Sequence, residues 1–229
     1  TNLETFGIPW CGYFANLNWL SDISEKLIDC NQVFNFTRGE RRGWNALFYP
    51  ALGHNIEAEY IKPILKNLRG TAGLYCTADA EAFCCSKSID ELVQLNHTGA
   101  LEWIRSFENQ NNETGIPLTQ SLRRANMFWY EMKTDNMADF VANVNYDKSL
   151  FIATFNNRSF IDQRMIGLSL KTEFQTEDRI LLLALLNSIL SMFFIESFGF
   201  GRGLGALDLR ATKFERDFKL LNFQSLSDV

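Results

Sequence analysis

The chain has 229 residues, of which 46% are hydrophobic and 21% are charged, and its formal net charge is −5 at pH 7. This length allows one large domain or two small ones with a substantial core. The negative balance excludes a protein that coats nucleic acid through a global basic field, but it is compatible with a local basic surface.

The cysteines and histidines do not form a metal-binding pattern. The chain has five cysteines and two histidines, and no two cysteines have the C-x-x-C spacing of a zinc site. Reduced thiols in a cytoplasmic protein are the simplest interpretation. The sequence starts at a threonine and shows no signal-peptide pattern, so we expect an excised part of a longer cytoplasmic chain.

The first predicted elements surround a turn rich in arginine. Residues 1–35 have no clean hydrophobic period and predict an irregular connecting segment with a short helix at 21–28. Strands are predicted at 33–37 and 44–49, and the turn between them holds three arginines and two glycines. Arginine forks at such a turn can bind phosphate or a guanine edge. A solvated basic loop before an edge strand is the alternative.

The next segment predicts short elements. A short helix is predicted at 56–66, interrupted by Pro63, and a strand follows at 73–76. Ser88 and Glu91 have the spacing of a capping box, which predicts the start of one helix or of a broken helix pair.

A polar, asparagine-rich segment at 108–116 predicts a loop. It fits a domain boundary and a surface loop within one domain equally well. Beyond it, strands are predicted at 127–130, 150–155 and 161–170.

The C-terminal part is dominated by one apolar segment. Residues 180–194 are too few for a membrane span, which needs about 20 apolar residues, so we expect a buried helix and no membrane partner. Thr176 predicts the N-cap of a long C-terminal helix over 176–200, which a glycine-rich turn ends. A short strand is predicted at 206–209.

No catalytic constellation stands out. The glycine-rich run at 199–205 follows a predicted helix and precedes a strand, whereas a nucleotide-binding glycine loop follows a strand and opens a helix. The run is better interpreted as a helix stop that presents Arg202. His54 and His97 lie in no motif typical of a general base. An enzyme with a site of unrecognised type remains an alternative.

Basic side chains recur at predicted strand ends and turns, with aromatic or amide side chains beside them. Arginine can read guanine and asparagine can read adenine in the major groove, while other cations fix the register on phosphate. The candidate DNA-binding residues are Arg38, Arg41, Arg42, Trp44, Asn45, Arg123, Arg124, Arg158, Arg164 and Arg202.

Three blocks of the sequence resemble one family. The first is the run from Arg38 to Pro50 followed by residues 56–57 and 61–67, the second is 129–131 with 150–170, and the third is 182–209. Together they resemble the target-recognition domain of bacterial adenine-specific DNA methyltransferases and fused restriction–modification enzymes. The recognition domains of type I specificity subunits are similar.

The resemblance implies the fold and the partner. It implies an α+β fold of irregular, mostly antiparallel strands with a long C-terminal helix, like the DNA methylase specificity domain, as a single target-recognition domain over 1–229. Its partners would be double-stranded DNA and the methyltransferase catalytic domain of the same parent chain. By position, Arg41, Arg42 and Asn45 fall in the first motif of the family, and Arg202 falls in the last.

The family's catalytic signature, Asn-Pro-Pro-Tyr, does not occur in the chain. The matched residues are therefore those of the DNA-recognition domain and not of the catalytic domain. We expect a chain that is not catalytic alone and holds no cofactor. S-adenosylmethionine is expected for the parent enzyme. The alternative function is a protein-interaction or scaffold domain without DNA contact, with an aromatic surface near Trp10, Tyr13 and Trp19.

Overall fold

A computed structural model describes residues 18–40, 42–69, 71, 73–146, 150–175, 177–198, 200–201 and 207–226. The α-helices are α1 Asn18–Asp22, α2 Cys30–Val33, α3 Asn45–Phe48, α4 Ile89–Gln94, α5 Thr98–Glu108, α6 Leu118–Ser121, α7 Arg179–Leu186, α8 Ile189–Phe198 and α9 Ala211–Asp217. Short 3-10 helices lie at Ser24–Lys26, Ala58–Tyr60, Thr172–Phe174 and Phe223–Leu226.

The strands are β1 Leu27–Asp29, β2 Phe34–Arg38, β3 Ile61–Leu65, β4 Tyr75–Cys76, β5 Ala80–Phe83, β6 Met137–Asn143, β7 Asn145–Tyr146, β8 Ile152–Ile161, β9 Met165–Leu170, β10 Phe200–Gly201, β11 Leu207–Asp208 and β12 Lys219–Leu221. The main sheet has the order β2-β9-β6-β8-β3-β5, and β4 also pairs with β8. Its strands pair antiparallel, except that β3 and β4 run parallel to β8. The expected α+β fold with mostly antiparallel strands is confirmed.

The centre of the main sheet is buried on both faces. Every residue of β9 is buried, so helices and loops cover both sides of it. One apolar cluster joins this part of the sheet to α7, α8 and α9, and a second surrounds α3, α5 and α6 beside β3 and β5. The apolar run of β9 is typical of a strand without a solvent-facing side.

The predicted long C-terminal helix over 176–200 is wrong, because the structure has two helices with a bend of 49° between them. The Asn187 side chain causes the break: its amide donates to the carbonyls of Leu183 and Ile152, and its Oδ1 accepts from the Ile152 N–H. Ser188 Oγ then accepts from the Ser191 N–H at the start of α8. Ser188 thus satisfies a backbone N–H that a continuous helix would have paired, and Asn187 ties the break to β8.

Asp178 caps α7 by accepting a hydrogen bond of 2.8 Å from the Ile180 N–H. The predicted N-cap, Thr176, lies outside the described residues. Within the described ranges no single helix is long and apolar enough to cross a membrane, and the bent pair α7 and α8 reaches that length and apolarity only when both helices are counted together.

A buried carboxylate joins α7 to the sheet. Asp139 in β6 is 1% exposed, and its carboxylate lies 3.0 Å from the guanidinium of Arg179. It also accepts a hydrogen bond from the Leu170 N–H in β9. The sequence did not predict β6, because an aspartate inside an apolar run argues against a strand until its buried partner is known.

The second layer of helices confirms the capping-box prediction. Ser88 and Glu91 exchange hydrogen bonds with each other's backbone N–H groups at the start of α4, and the helical region is a broken pair, α4 and α5. Glu57 closes the start of α5 by accepting from the N–H groups of Gly99 and Ala100, each at 2.8 Å.

Two aromatic runs predicted as strands are not strands. Residues 44–49 contain the short helix α3, which buries the adjacent Leu47 and Phe48 together, whereas a strand would point them to opposite faces. Residues 127–130 form a turn closed by the side chain of Glu131, which accepts from the Phe128 N–H.

The predicted helices at 21–28 and 56–66 are also wrong in part or whole. The first is replaced by α1, a 3-10 turn and β1. The second is a 3-10 turn followed by β3. β3 pairs with β8 only from Ile64 onward, so Pro63 stands where its missing N–H is not required. The strands predicted at 33–37, 73–76, 150–155, 161–170 and 206–209 overlap β2, β4, β8, β9 and β11.

Gly39 lets the end of β2 approach the turn between β8 and β9. A Cβ atom at Gly39 would lie 2.0 Å from the carbonyl oxygen of Asp162. At Gly43 the nearest atom to a new Cβ would be Leu122 Cδ2 at 3.5 Å, an ordinary contact.

We predict that Gly39→Ala lowers the free energy of unfolding by about 3 kcal/mol, because the backbone must move away from Asp162. The matched variant Gly43→Ala should change it by less than about 0.5 kcal/mol. Urea unfolding followed by circular dichroism measures both, and equal values for the two variants would contradict the close approach.

Candidate nucleic-acid interface

The turn between β8 and β9 is organised by a buried carboxylate. Asp162 is 4% exposed, the Tyr49 hydroxyl donates to its Oδ2, and the Arg164 N–H donates to its Oδ1 at 3.0 Å. Burial raises the pKa of the Tyr49 phenol, and the hydrogen bond to Asp162 raises this pKa further. Tyr49 is therefore held as a protonated donor, and the turn keeps one conformation.

The arginine run after β2 is fixed on this turn through its backbone. The N–H of Glu40 donates to the carbonyl of Ile161, and the N–H of Gln163 donates to the carbonyl of Glu40, both at 3.1 Å. Nε of Arg38 donates to the carbonyl of Gln163 at 3.1 Å. The exposed side chains of Arg38 and Arg164 are consequently brought to the same turn.

Arg42 points inward and supports a second loop. The side chain is 5% exposed, and its Nη2 donates to the carbonyls of Leu122 at 3.1 Å and Trp129 at 2.7 Å. The guanidinium lies 5.0 Å from the centre of the Phe48 ring. Arg42 thus joins both ends of the loop 123–128, and in this structure it is a positioning residue and not an exposed cation.

The loop 123–128 carries two further candidates, Arg123 and Arg124, and both are exposed. Nη1 of Arg124 lies 3.1 Å from Glu40 Oε1, which ties this loop to the arginine run. Asn126 occupies the left-handed region with a φ of 58° at the tip. The loop borders a cleft of about 650 Å³.

A groove of about 650 Å³ lies between the arginine run, the asparagine-rich loop and the turn after β8. It gathers side chains from segments far apart in the sequence. The residues that line it include Arg42, Trp44, Asn45, Asn112, Glu113 and Gln163.

The groove holds one buried cation. Burial, followed by the charge of Arg124, lowers the pKa of Arg42 to about 10. The guanidinium therefore remains charged at neutral pH, and Glu113 is the carboxylate among the described lining residues.

The structure does not bring every candidate to this surface. Arg158 lies in the middle of β8, where it donates to the carbonyl of Met137 at 3.1 Å and approaches Asp139 at 3.6 Å. Arg41 and Arg202 lie outside the described residues. The region around the groove and its neighbouring cleft, which we call the arginine face, contains Arg38, Arg42, Trp44, Asn45, Arg123, Arg124 and Arg164.

Sequence reasoning missed the amide and carboxylate side chains that complete the groove. Asn112 has a local signal: its Oδ1 accepts from the N–H groups of Thr114 and Ile116, the pattern of an asparagine that shapes its own turn. Gln163 has no comparable signal, because only the pairing of β2 with β9 places it beside Arg38.

The described residues contain no group of three or more His, Cys, Asp or Glu that could hold a metal ion. Cys30, Cys76, Cys84 and Cys85 are buried free thiols. Burial raises the pKa of Cys76 and of Cys84 to about 12. These thiols are protonated at neutral pH and are unsuited to nucleophilic catalysis.

No protein-family model and no curated protein matches the chain. Solved structures do match, and one of them is the crystal structure of the type IIG restriction endonuclease BpuSI, with a TM-score of 0.57 and 11% sequence identity. The match covers 92% of this chain and 26% of the BpuSI chain. At this identity the likeness shows a shared fold.

We predict that Tyr49 and Asp162 are energetically coupled. A double-mutant cycle of Tyr49→Phe and Asp162→Asn should give a coupling free energy of about 1.5–3 kcal/mol, the range for a hydrogen bond to a charged group. Urea unfolding measures it, and a cycle of the exposed Tyr75→Phe with Asp162→Asn should give a value near zero.

The raised pKa of Tyr49 sets the pH dependence. The folded state keeps the phenol protonated. The contribution of Tyr49 to the free energy of unfolding is therefore complete below about pH 10, the pKa of the phenol in the unfolded chain, and is lost as the pH rises above that value. Tyr49→Phe should therefore lose less stability than the wild type between about pH 10 and 11. Urea unfolding at each pH measures this, and curves of unfolding free energy against pH that fall in parallel for the two proteins would contradict this assignment.

Proposed function

We propose that this chain is a sequence-specific DNA-recognition domain of a restriction–modification adenine methyltransferase. The observation that carries the proposal is that most candidate DNA-binding residues meet on one arginine face. Support comes from the shared fold, because the matched protein is a restriction endonuclease of which this chain covers 26%. That proportion agrees with one domain of a longer enzyme.

The exposed and buried arginines have different roles in this proposal. Arg38, Arg123 and Arg164 reach outward and can contact phosphate or a guanine edge. Arg42 holds the loop that presents Arg123 and does not itself reach a base. Asn45 is exposed at the start of α3, where its amide can read an adenine edge.

The catalytic step belongs to another part of the parent. We propose that a methyltransferase domain of the same parent chain binds S-adenosylmethionine and the extracted adenine, since the Asn-Pro-Pro-Tyr signature does not occur in this sequence. The net charge of −5 fits this division, because such a domain would supply part of the phosphate contacts.

A second candidate, a protein-interaction domain, is favoured by exposed apolar residues on the bent helix pair. Ile180 is 66% exposed and Ile189 is 90% exposed. Trp19 is 40% exposed and packs edge-on against Phe193 in α8 at 5.3 Å. Trp10 and Tyr13 lie outside the described residues. These side chains could contact another domain without excluding DNA at the arginine face.

We predict that the chain selects particular duplexes from a randomised library and that its affinity falls steeply with salt. Arg38→Gln and Arg164→Gln should each weaken binding. If the arginine contacts a phosphate, its loss would also reduce the slope of log affinity against log salt concentration by about 1. If it contacts a base, its loss would cost about 1–3 kcal/mol of binding free energy for the preferred sequence only. Fluorescence anisotropy between low and high salt measures both effects.

Lys26→Gln is the matched control, because Lys26 is an exposed cation in the 3-10 helix before β1, outside the arginine face. This variant should bind like the wild type. A flat salt response without sequence selection, in this chain and in its parent enzyme, would contradict DNA recognition. Selection that is unchanged by both arginine variants would place the DNA on another surface.

A further inference from the structure

Arg42 forms no ion pair within 4.0 Å among the described residues, although the charges of Glu40 and Glu131 act on it from further away. Its guanidinium forms hydrogen bonds to two backbone carbonyls through Nη2, while Nε and Nη1 are buried and have no hydrogen-bond partner in the described part of the chain. Buried charges in proteins are normally paired and hydrogen-bonded, because desolvation is otherwise costly. An arginine with two unused donors therefore indicates a missing acceptor.

A second side chain with an unused donor lies in the same groove. The indole Nε1 of Trp44 is buried and also lacks a hydrogen-bond partner among the described residues. Trp44 and Arg42 both line the groove of about 650 Å³. A buried donor left unmatched destabilises the folded state, because it has lost its hydrogen bonds to water. Two side chains with unmatched N–H groups beside one groove indicate a ligand rich in acceptor oxygens.

We propose that the floor of this groove is an oxyanion site that takes a phosphate group, with Arg42 and Trp44 donating to its oxygens. A guanidinium N–H forms a strong charge-assisted hydrogen bond to a phosphate oxygen, and the negative charge neutralises the buried cation. Both donors are covered in the structure, so the anion enters by displacing a bordering exposed side chain, Asn45, Glu113 or Ser121.

The source of the phosphate rests on the proposed function. If the chain recognises DNA, the group is a phosphodiester of a strand that crosses the arginine face, and Arg42 then positions the backbone while exposed side chains read bases. Inorganic phosphate presents the same oxygens without the strand. Comparing the two probes therefore separates the oxyanion site from DNA recognition.

Glu113 provides a sharp test, because an exposed carboxylate bordering the groove repels an anion. Glu113→Gln should raise phosphate affinity about two- to fivefold, the size of one exposed charge interaction. Glu108→Gln removes the same charge from the exposed end of α5, outside the residues that line the groove, and should leave the affinity unchanged.

The experiment follows indole N–H and arginine Nε–H signals by nuclear magnetic resonance in protein with 15N-labelled tryptophan and arginine. Trp44→Phe identifies the Trp44 signal, and sodium phosphate is titrated against sodium chloride of equal ionic strength. We expect a saturable shift of the Trp44 signal with phosphate and not with chloride. Arg42 Nε should shift in parallel, and Trp44→Phe should weaken its response at least about tenfold.

The outcomes distinguish the two proposals. A Trp44 signal moved by neither phosphate nor a selected duplex, in a chain that binds the duplex, overturns the oxyanion site and leaves DNA recognition standing. A saturable phosphate shift, when neither this chain nor its parent enzyme binds a duplex, supports the site and overturns the DNA function. Equal affinities for Glu113→Gln and Glu108→Gln, or a shift that follows ionic strength alone, also overturn the site.

Discussion

The arginine face depends on the buried carboxylate of Asp162. It fixes the turn after β8 through the Tyr49 hydroxyl and the Arg164 N–H, and the Gln163 N–H of the same turn binds the carbonyl of Glu40. Because Gly39 has no side chain, β2 can end against this turn. The geometry of the arginine face thus depends on one buried carboxylate, Asp162, and on the absence of a Cβ atom at Gly39.

Local signals in the sequence predicted the elements that local interactions determine. The capping box at Ser88 is an example, since both partners lie within four residues. The failures involve long-range contacts. Asn187 breaks the C-terminal helix because it bonds to Ile152 in β8, and Asp139 is tolerated in β6 because Arg179 pairs with it. Neither contact can be inferred from a hydrophobic period.

The candidate site was predicted in its residue types and only partly in their roles. Nothing in the sequence distinguishes the three neighbouring arginines, whereas in the structure Arg38 is exposed and Arg42 is buried. The sequence does not show which arginine is buried, because the position of Arg42 depends on contacts with Leu122 and Trp129, which are some 80 residues away along the chain. Gln163 could not be found for the same reason. The sequence therefore suggests the residue types of a candidate site, whereas their geometry is known only from the structure.

The pairing of β2 with β9 has a consequence for how the domain forms. Arg38 and its acceptor Gln163 are separated by 125 residues, so the arginine run leaves the ribosome long before the hairpin that anchors it. Contacts of such sequence separation require slow loop closure and tend to form late. A nascent chain that stops before this hairpin would keep its guanidinium groups unplaced, so the arginine face can form only after β9 has been synthesised.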